Sequence, residues 1–109
     1  MASSDNETLR VVDKFNGENF SLWKFKMKMV LASKDLWDIV NGSEEAPPST
    51  ADAKDIKAFE CRVKTAFGMI VTNLVDKEMA YVNHCKGPTE AWKALCNIHE
   101  TKSLSNILF

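Results

Sequence analysis

The chain has 109 residues, 45% hydrophobic and 27% charged, with 14 Lys and Arg against 15 Asp and Glu for a formal net charge of −1. Those proportions describe one soluble globular domain and exclude a disordered tail or a collagen-like fibre. Near-neutrality also argues against strong sequence-independent nucleic-acid binding, whose affinity comes largely from Lys and Arg neutralising phosphates.

No apolar run approaches the ~20 residues of a membrane span, and Met1 to Thr8 lacks the basic-then-apolar order of a secretory signal. The cytoplasm is therefore the expected compartment and a membrane is not an expected partner. Cys61, Cys85 and Cys96 form no disulfide framework and read as reduced thiols.

In chain order, Leu9-Arg10-Val11-Val12 is the one stretch that reads as extended. From Asn19 to Ser33, Phe20, Trp23, Met27, Val30 and Leu31 recur at helical spacing, with Leu22, Phe25 and Met29 on an adjoining stripe. Asn19 or Ser21 is expected to cap that helix. Asp35 to Val40 reads as a short helix stopped by Asn41-Gly42, and Glu44 to Thr50, with two prolines, as a solvated connection. Ile56, Phe59, Val63, Phe67, Ile70 and Leu74 then mark a long helix capped by Thr50 or Asp52.

Asp76 to Cys85 is expected to form a short helix around Met79 and Val82, ended at Lys86-Gly87-Pro88. Ala91, Trp92, Leu95 and Ile98 predict an amphipathic helix ending near Glu100, and Ser103 opens another through Leu104, Ile107, Leu108 and Phe109. The fold class that follows is all-α, a compact bundle of five or six helices with a short extended N-terminal segment. No 20–50-residue repeat suggests a solenoid.

The chemical motifs are mostly missing. There is no phosphate-cradling glycine loop, no Gly-x-Ser-x-Gly elbow, no His-Glu-x-x-His and no Asp-Thr-Gly or Asp-Ser-Gly, so no enzymatic activity and no catalytic residue is expected. His84-Cys85 with Cys96-x-x-His99 offers two thiols and two imidazoles. If His84 and Cys85 are helical, however, they point about 100° apart, and no metal or other cofactor is assigned. Lys24, Lys26, Lys28 and Lys34 form a basic patch with Trp23 and Phe25 interleaved, the candidate for a weak RNA contact. The stronger expectation places the two aromatics in the core and the lysines on its solvated outer side.

Three tryptophan-centred motifs carry a family resemblance. Lys14-Phe15-Asn16-Gly17-Glu18-Asn19-Phe20-Ser21-Leu22-Trp23-Lys24, then Met27, Leu31 and Leu36-Trp37-Asp38-Ile39-Val40-Asn41-Gly42, resembles the N-terminal region of copia-type retrotransposon Gag polyproteins. Later, Ile70, Asn73-Leu74, Thr89-Glu90-Ala91-Trp92-Lys93-Ala94-Leu95 and Lys102-Ser103-Leu104-Ser105-Asn106 agree in order and spacing, with plant members the most similar. The resemblance implies a retroviral-capsid-like helical domain over residues 15–109, cut at its C-terminal end, after an N-terminal arm of residues 1–14. The fold signature is Phe15, Gly17, Phe20, Trp23, Met27, Leu31, Trp37, Val40, Phe67, Ile70, Leu74, Trp92 and Leu95.

What the resemblance implies in function is self-association into a particle shell, with Leu104, Ile107, Leu108 and Phe109 as candidate contacts. The family's downstream zinc knuckle is not in these residues, so the expected partner is the chain itself and not nucleic acid. The alternative is a domesticated adaptor binding a host peptide or protein, and a weak RNA-binding module comes third.

Overall fold

Phe20, Trp23, Met27 and Leu31, spaced by three and four residues, form the buried stripe of the first helix, α1 (Phe20–Ser33). The computed structural model describes the backbone of residues 12–108 and the side chains of residues 12–100. Among these, four further helices follow: α2 (Trp37–Val40), α3 (Ala53–Thr72), α4 (Asp76–Met79) and α5 (Pro88–Leu108). No strand is present among the described residues, so the all-α expectation holds; Leu9 to Val11 lie outside them.

The start of α1 differs from the expected cap. Asn19 takes a left-handed conformation (φ 55°, ψ 52°) and its side chain caps nothing, while Ser21 lies inside the helix. A capping side chain needs the extended backbone that aims its oxygen at the first-turn amides. The turn is held one step earlier, where Asn16 Oδ1 accepts the Glu18 N–H at 3.0 Å. At the other end, Asp35 is left-handed (φ 61°), its N–H donates to Ala32 O at 3.1 Å, and the Leu36 N–H donates to Leu31 O at 2.8 Å. This is a Schellman closure, and buried Leu36 and Leu31 supply its apolar contact.

α2 is a single turn that buries Ile39 and Val40 and ends at Gly42 (φ 84°). The Asp52 side chain makes no capping bond at the start of α3. Only the second half of α3 is fully buried, at Ala66, Met69 and Ile70, whereas Ile56, Phe59, Val63 and Phe67 are half-buried. The expected face is thus correct in register, with Phe59, Val63 and Phe67 packed against the edge of the core.

α4 is shorter than the expected run to Cys85. Past Met79 the chain continues in turns through bonds three residues back, Val82 N to Met79 O at 3.0 Å and Cys85 N to Val82 O at 2.9 Å. In contrast, α5 runs unbroken through Glu100 and Ser103, where two helices were expected. No Gly or Pro interrupts this stretch, and interior Thr and Ser cost only a few tenths of a kcal/mol each. α5 packs against α3 and α2, and α2 also against α1 and α3. No helix among the described residues is long and apolar enough to cross a membrane.

Arg62 braces the periphery from α3. Its Nη1 donates to Glu44 Oε2 at 2.7 Å and its Nη2 to Glu44 Oε1 at 3.0 Å, and Nη2 also reaches the Asp35 carbonyl. One side chain therefore ties the end of α1 and the proline-bearing connection to α3.

Two outcomes are expected. Trp23→Ala, which empties a ring site in the core, should cost about 3–5 kcal/mol and lower the urea midpoint steeply by circular dichroism; an unchanged midpoint would contradict the core described. The Arg62 hydrogen bonds hold the Glu44 carboxyl below its ordinary range. Its contribution is thus present above the unfolded-state value and lost as pH falls through the depressed folded one. The midpoint gap between wild type and Glu44→Gln should be full at neutral pH and close on acidification.

Candidate functional site

The motif aromatics meet one another in the fold. Trp23 lies with its ring centroid 5.3 Å from Phe15, 5.9 Å from Phe20 and 5.9 Å from Trp92 of α5, and Trp92 is 5.4 Å from Trp37 of α2. Lys28 Nζ covers the outer end, 5.2 Å from the Trp37 ring.

Behind α1 the chain is clasped. The Phe15 N–H donates to Asn73 O at 2.8 Å, and the Val75 N–H donates to Phe15 O at 3.0 Å, across an isolated parallel bridge of Phe15 with Leu74. Gly17 follows at φ 100°, and a Cβ there would stand 3.0 Å from Glu78 Oε2. The other carboxyl oxygen, Glu78 Oε1, is hydrogen-bonded to His99 Nε2 at 2.8 Å, with Glu78 3% and His99 7% exposed. The His99 ring stacks on Phe20 (5.2 Å) and meets Phe15 edge-on (4.7 Å). Neither Glu78 nor His99 is among the core residues expected from the sequence, where His99 figures only beside Cys96 as a possible donor. His99 nevertheless continues the face of Trp92 and Leu95, seven residues and four residues on.

The opposite side of α1 corrects an expectation. Phe25, expected in the core, is 60% exposed, and Leu22 and Met29 beside it are 46% and 53% exposed. They make a row at intervals of three and four residues along the outer face. Phe25 and Met29 also border an open hollow of about 790 Å³ whose other walls include Val12, Lys14 and Lys26. The expected stripe is apolar in sequence, yet α1's packing against the rest of the fold leaves this face uncovered.

The four lysines do not act as one patch. Lys24 Nζ is 2.5 Å from Glu100 Oε2, a bond that raises its pKa; Lys28 lies over Trp37; Lys26 lines the hollow; Lys34 is exposed. Nor do the four expected thiols and imidazoles converge. Cys96 neighbours Lys24 and Glu100, and burial above all pushes its thiol pKa up. His99 is held in the clasp, while His84 and Cys85 lie in the turn before α5, near Glu90 of that helix's first turn. Burial, then the Glu90 carboxylate, push the Cys85 thiol up as well, the opposite of what a nucleophilic thiolate needs.

Within the fold signature, Gly17, Trp37 and Phe67 are half-buried and the other ten residues are buried. The end-segment candidates Leu104, Ile107, Leu108 and Phe109 lie outside the residues whose side chains are described.

The family model for the gag-polypeptide of LTR copia-type matches residues 27–109, and a second, for the Gag-polypeptide of LTR copia-type, matches residues 2–48. The chain belongs to the copia-type Gag family. No solved structure matches this Gag chain. Its motif residues Phe15, Phe20, Trp23, Trp37 and Trp92 are the rings that link α1, α2 and α5.

Gly17→Ala tests the clasp. A Cβ at that φ, set against the Glu78 carboxyl, should cost about 1–3 kcal/mol, read as a lower thermal midpoint with helical content intact at low temperature. A midpoint equal to wild type would mean that the glycine is not required there.

Proposed function

We propose that this Gag domain is a structural module that self-associates into a particle shell through helix–helix contacts, with the outer face of α1 as a meeting surface between copies. The observation that carries this reading is the exposed row Leu22, Phe25 and Met29 on a helix whose opposite face is fully packed. Single exposed apolar residues are ordinary, but a contiguous row beside an open hollow is a feature of interaction surfaces. The role is structural and non-catalytic, as Gag membership supports.

Charge favours a contact between unlike faces. Lys26 borders the hollow with Phe25 and Met29, and α1 carries no acidic residue, so two such faces would oppose like charges. Asp38 of α2, Glu45 and Asp52 of the connection and Asp55 of α3 are exposed and offer an acidic counterpart. Head-to-tail contacts of that type propagate into rings or open lattices, and the net charge of −1 limits repulsion among many copies. In this reading the partners are other copies, the compartment is the cytoplasm, and RNA is left to regions outside this domain. The end of α5 is a second candidate contact.

One observation favours the adaptor reading: an apolar trough of about 490 Å³ bordered by Phe67, Val71, Met79 and Val82, of a size to take a peptide side chain or short segment. Light scattering against concentration separates the two. Assembly predicts stepwise growth that Phe25→Asp with Met29→Asp abolishes while the helical spectrum stays unchanged. A strict monomer at high concentration that captures a defined peptide in the trough would replace assembly with the adaptor function.

A further inference from the structure

The turn between α4 and α5, with the start of α5, brings together a donor set that the shell contact does not use. One imidazole nitrogen of His84, Cys85 Sγ and a carboxylate oxygen of Glu90 all lie within 4.8 Å of one another. We propose that these three side chains form a binding site for a zinc-class divalent cation, with water in the fourth position.

The objection that adjacent residues diverge by about 100° applies to a helix, and here it does not hold. His84 and Cys85 lie in a turn closed by the Cys85 N–H on Val82 O at 2.9 Å, and Glu90 projects from the first turn of α5. Tetrahedral zinc, with bonds of about 2.0–2.3 Å, sets its ligand atoms roughly 3.5 Å apart. His84 and Glu90 are exposed and can swing inward by the remaining ångström, while buried Cys85 gives the site a fixed point.

The donor types select the metal class. A thiolate and an imidazole suit zinc and its neighbours, whereas calcium and magnesium take oxygen ligands. One thiolate and one carboxylate balance the two positive charges of the ion, and the thiol proton leaves to solvent as the sulfur–metal bond forms. Glu90 Oε1 accepts the Lys86 N–H at 3.3 Å, a long bond that keeps the carboxylate near the turn and leaves it room to move. A bound ion would therefore clip residues 84–90 together at the edge of the apolar trough that Cys85 also borders.

The test is titration of the chelator-treated chain with Co²⁺ by absorption and with Zn²⁺ by calorimetry. One ion per chain, a thiolate-to-cobalt charge-transfer band and displacement of Co²⁺ by Zn²⁺ are expected. Cys85→Ser should remove the band, and His84→Ala and Glu90→Gln should each weaken affinity roughly tenfold or more. Cys61→Ser and Cys96→Ser should change neither. Because His84 is exposed, its alanine variant should fold like the wild type, and saturating Zn²⁺ should raise the wild-type Tm by several degrees but not that of His84→Ala. No saturable binding at micromolar metal, a band that survives Cys85→Ser or disappears in Cys61→Ser, or wild-type affinity in His84→Ala would overturn the site.

Discussion

The contact of Trp23 with Phe15, Phe20 and Trp92 joins the N-terminal segment, α1 and α5. Phe15 lies in a segment without helix, and α2, which offers Trp37 to Trp92, is a single turn. Pieces this short are not stable alone, because helix nucleation costs more than one turn returns. Burial of large rings supplies what backbone bonding cannot, and tilted or offset ring pairs add about 0.5–1.5 kcal/mol each beyond their buried area. The rest of the architecture follows from that spine: α3 and α5 pack together, and the irregular segments are drawn in by their aromatic residues.

Next to the spine is a polar feature, the buried Glu78–His99 hydrogen bond. Burying two such groups costs free energy that their bond only partly returns, so its role is better understood as fixing position. Glu78 follows the bridge that holds Phe15, its second oxygen faces Gly17, and His99 touches Phe15 and Phe20. Shifting α5 by a single residue would take His99 away from Glu78, Phe15 and Phe20 at once. A purely apolar arrangement would tolerate such a slip more readily, since it is satisfied by many registers.

The sequence was most legible where periodicity and burial coincide. The stripe of Phe20, Trp23, Met27 and Leu31 is both periodic and buried, and so is Trp92 with Leu95. It was least legible where tertiary packing decides. Trp23 and Phe25 are both aromatic residues among lysines on adjoining apolar stripes; the location of the neighbouring helices exposes one stripe and buries the other. Polar burial was hidden for a similar reason, since Glu78 and His99 become buried only because each supplies the other's partner. The break expected at Ser103 failed because serine is a preferred cap that a continuing helix tolerates at small cost. Among the thiols and imidazoles, helical geometry argued against His84 and Cys85 acting together; the turn that holds them instead, and its proximity to Glu90, are not visible in the sequence.

The two faces of α1 also set what the proposed assembly would require. Trp23, Met27 and Leu31 lock the helix to the core, so the backbone carrying Leu22, Phe25 and Met29 is ordered before any second copy arrives. The ordering cost of association is then confined to side chains, about 0.5–1.5 kcal/mol for each one immobilised. Three such residues make a modest contact, and a lattice needs modest contacts: a subunit bound too tightly at its first encounter cannot leave a misplaced position. Lys26 between the apolar side chains acts in the same direction, because it favours an acidic counterpart and disfavours a second α1 face. In the proposed assembly, growth through unlike faces would rest on the same residue that keeps each contact weak.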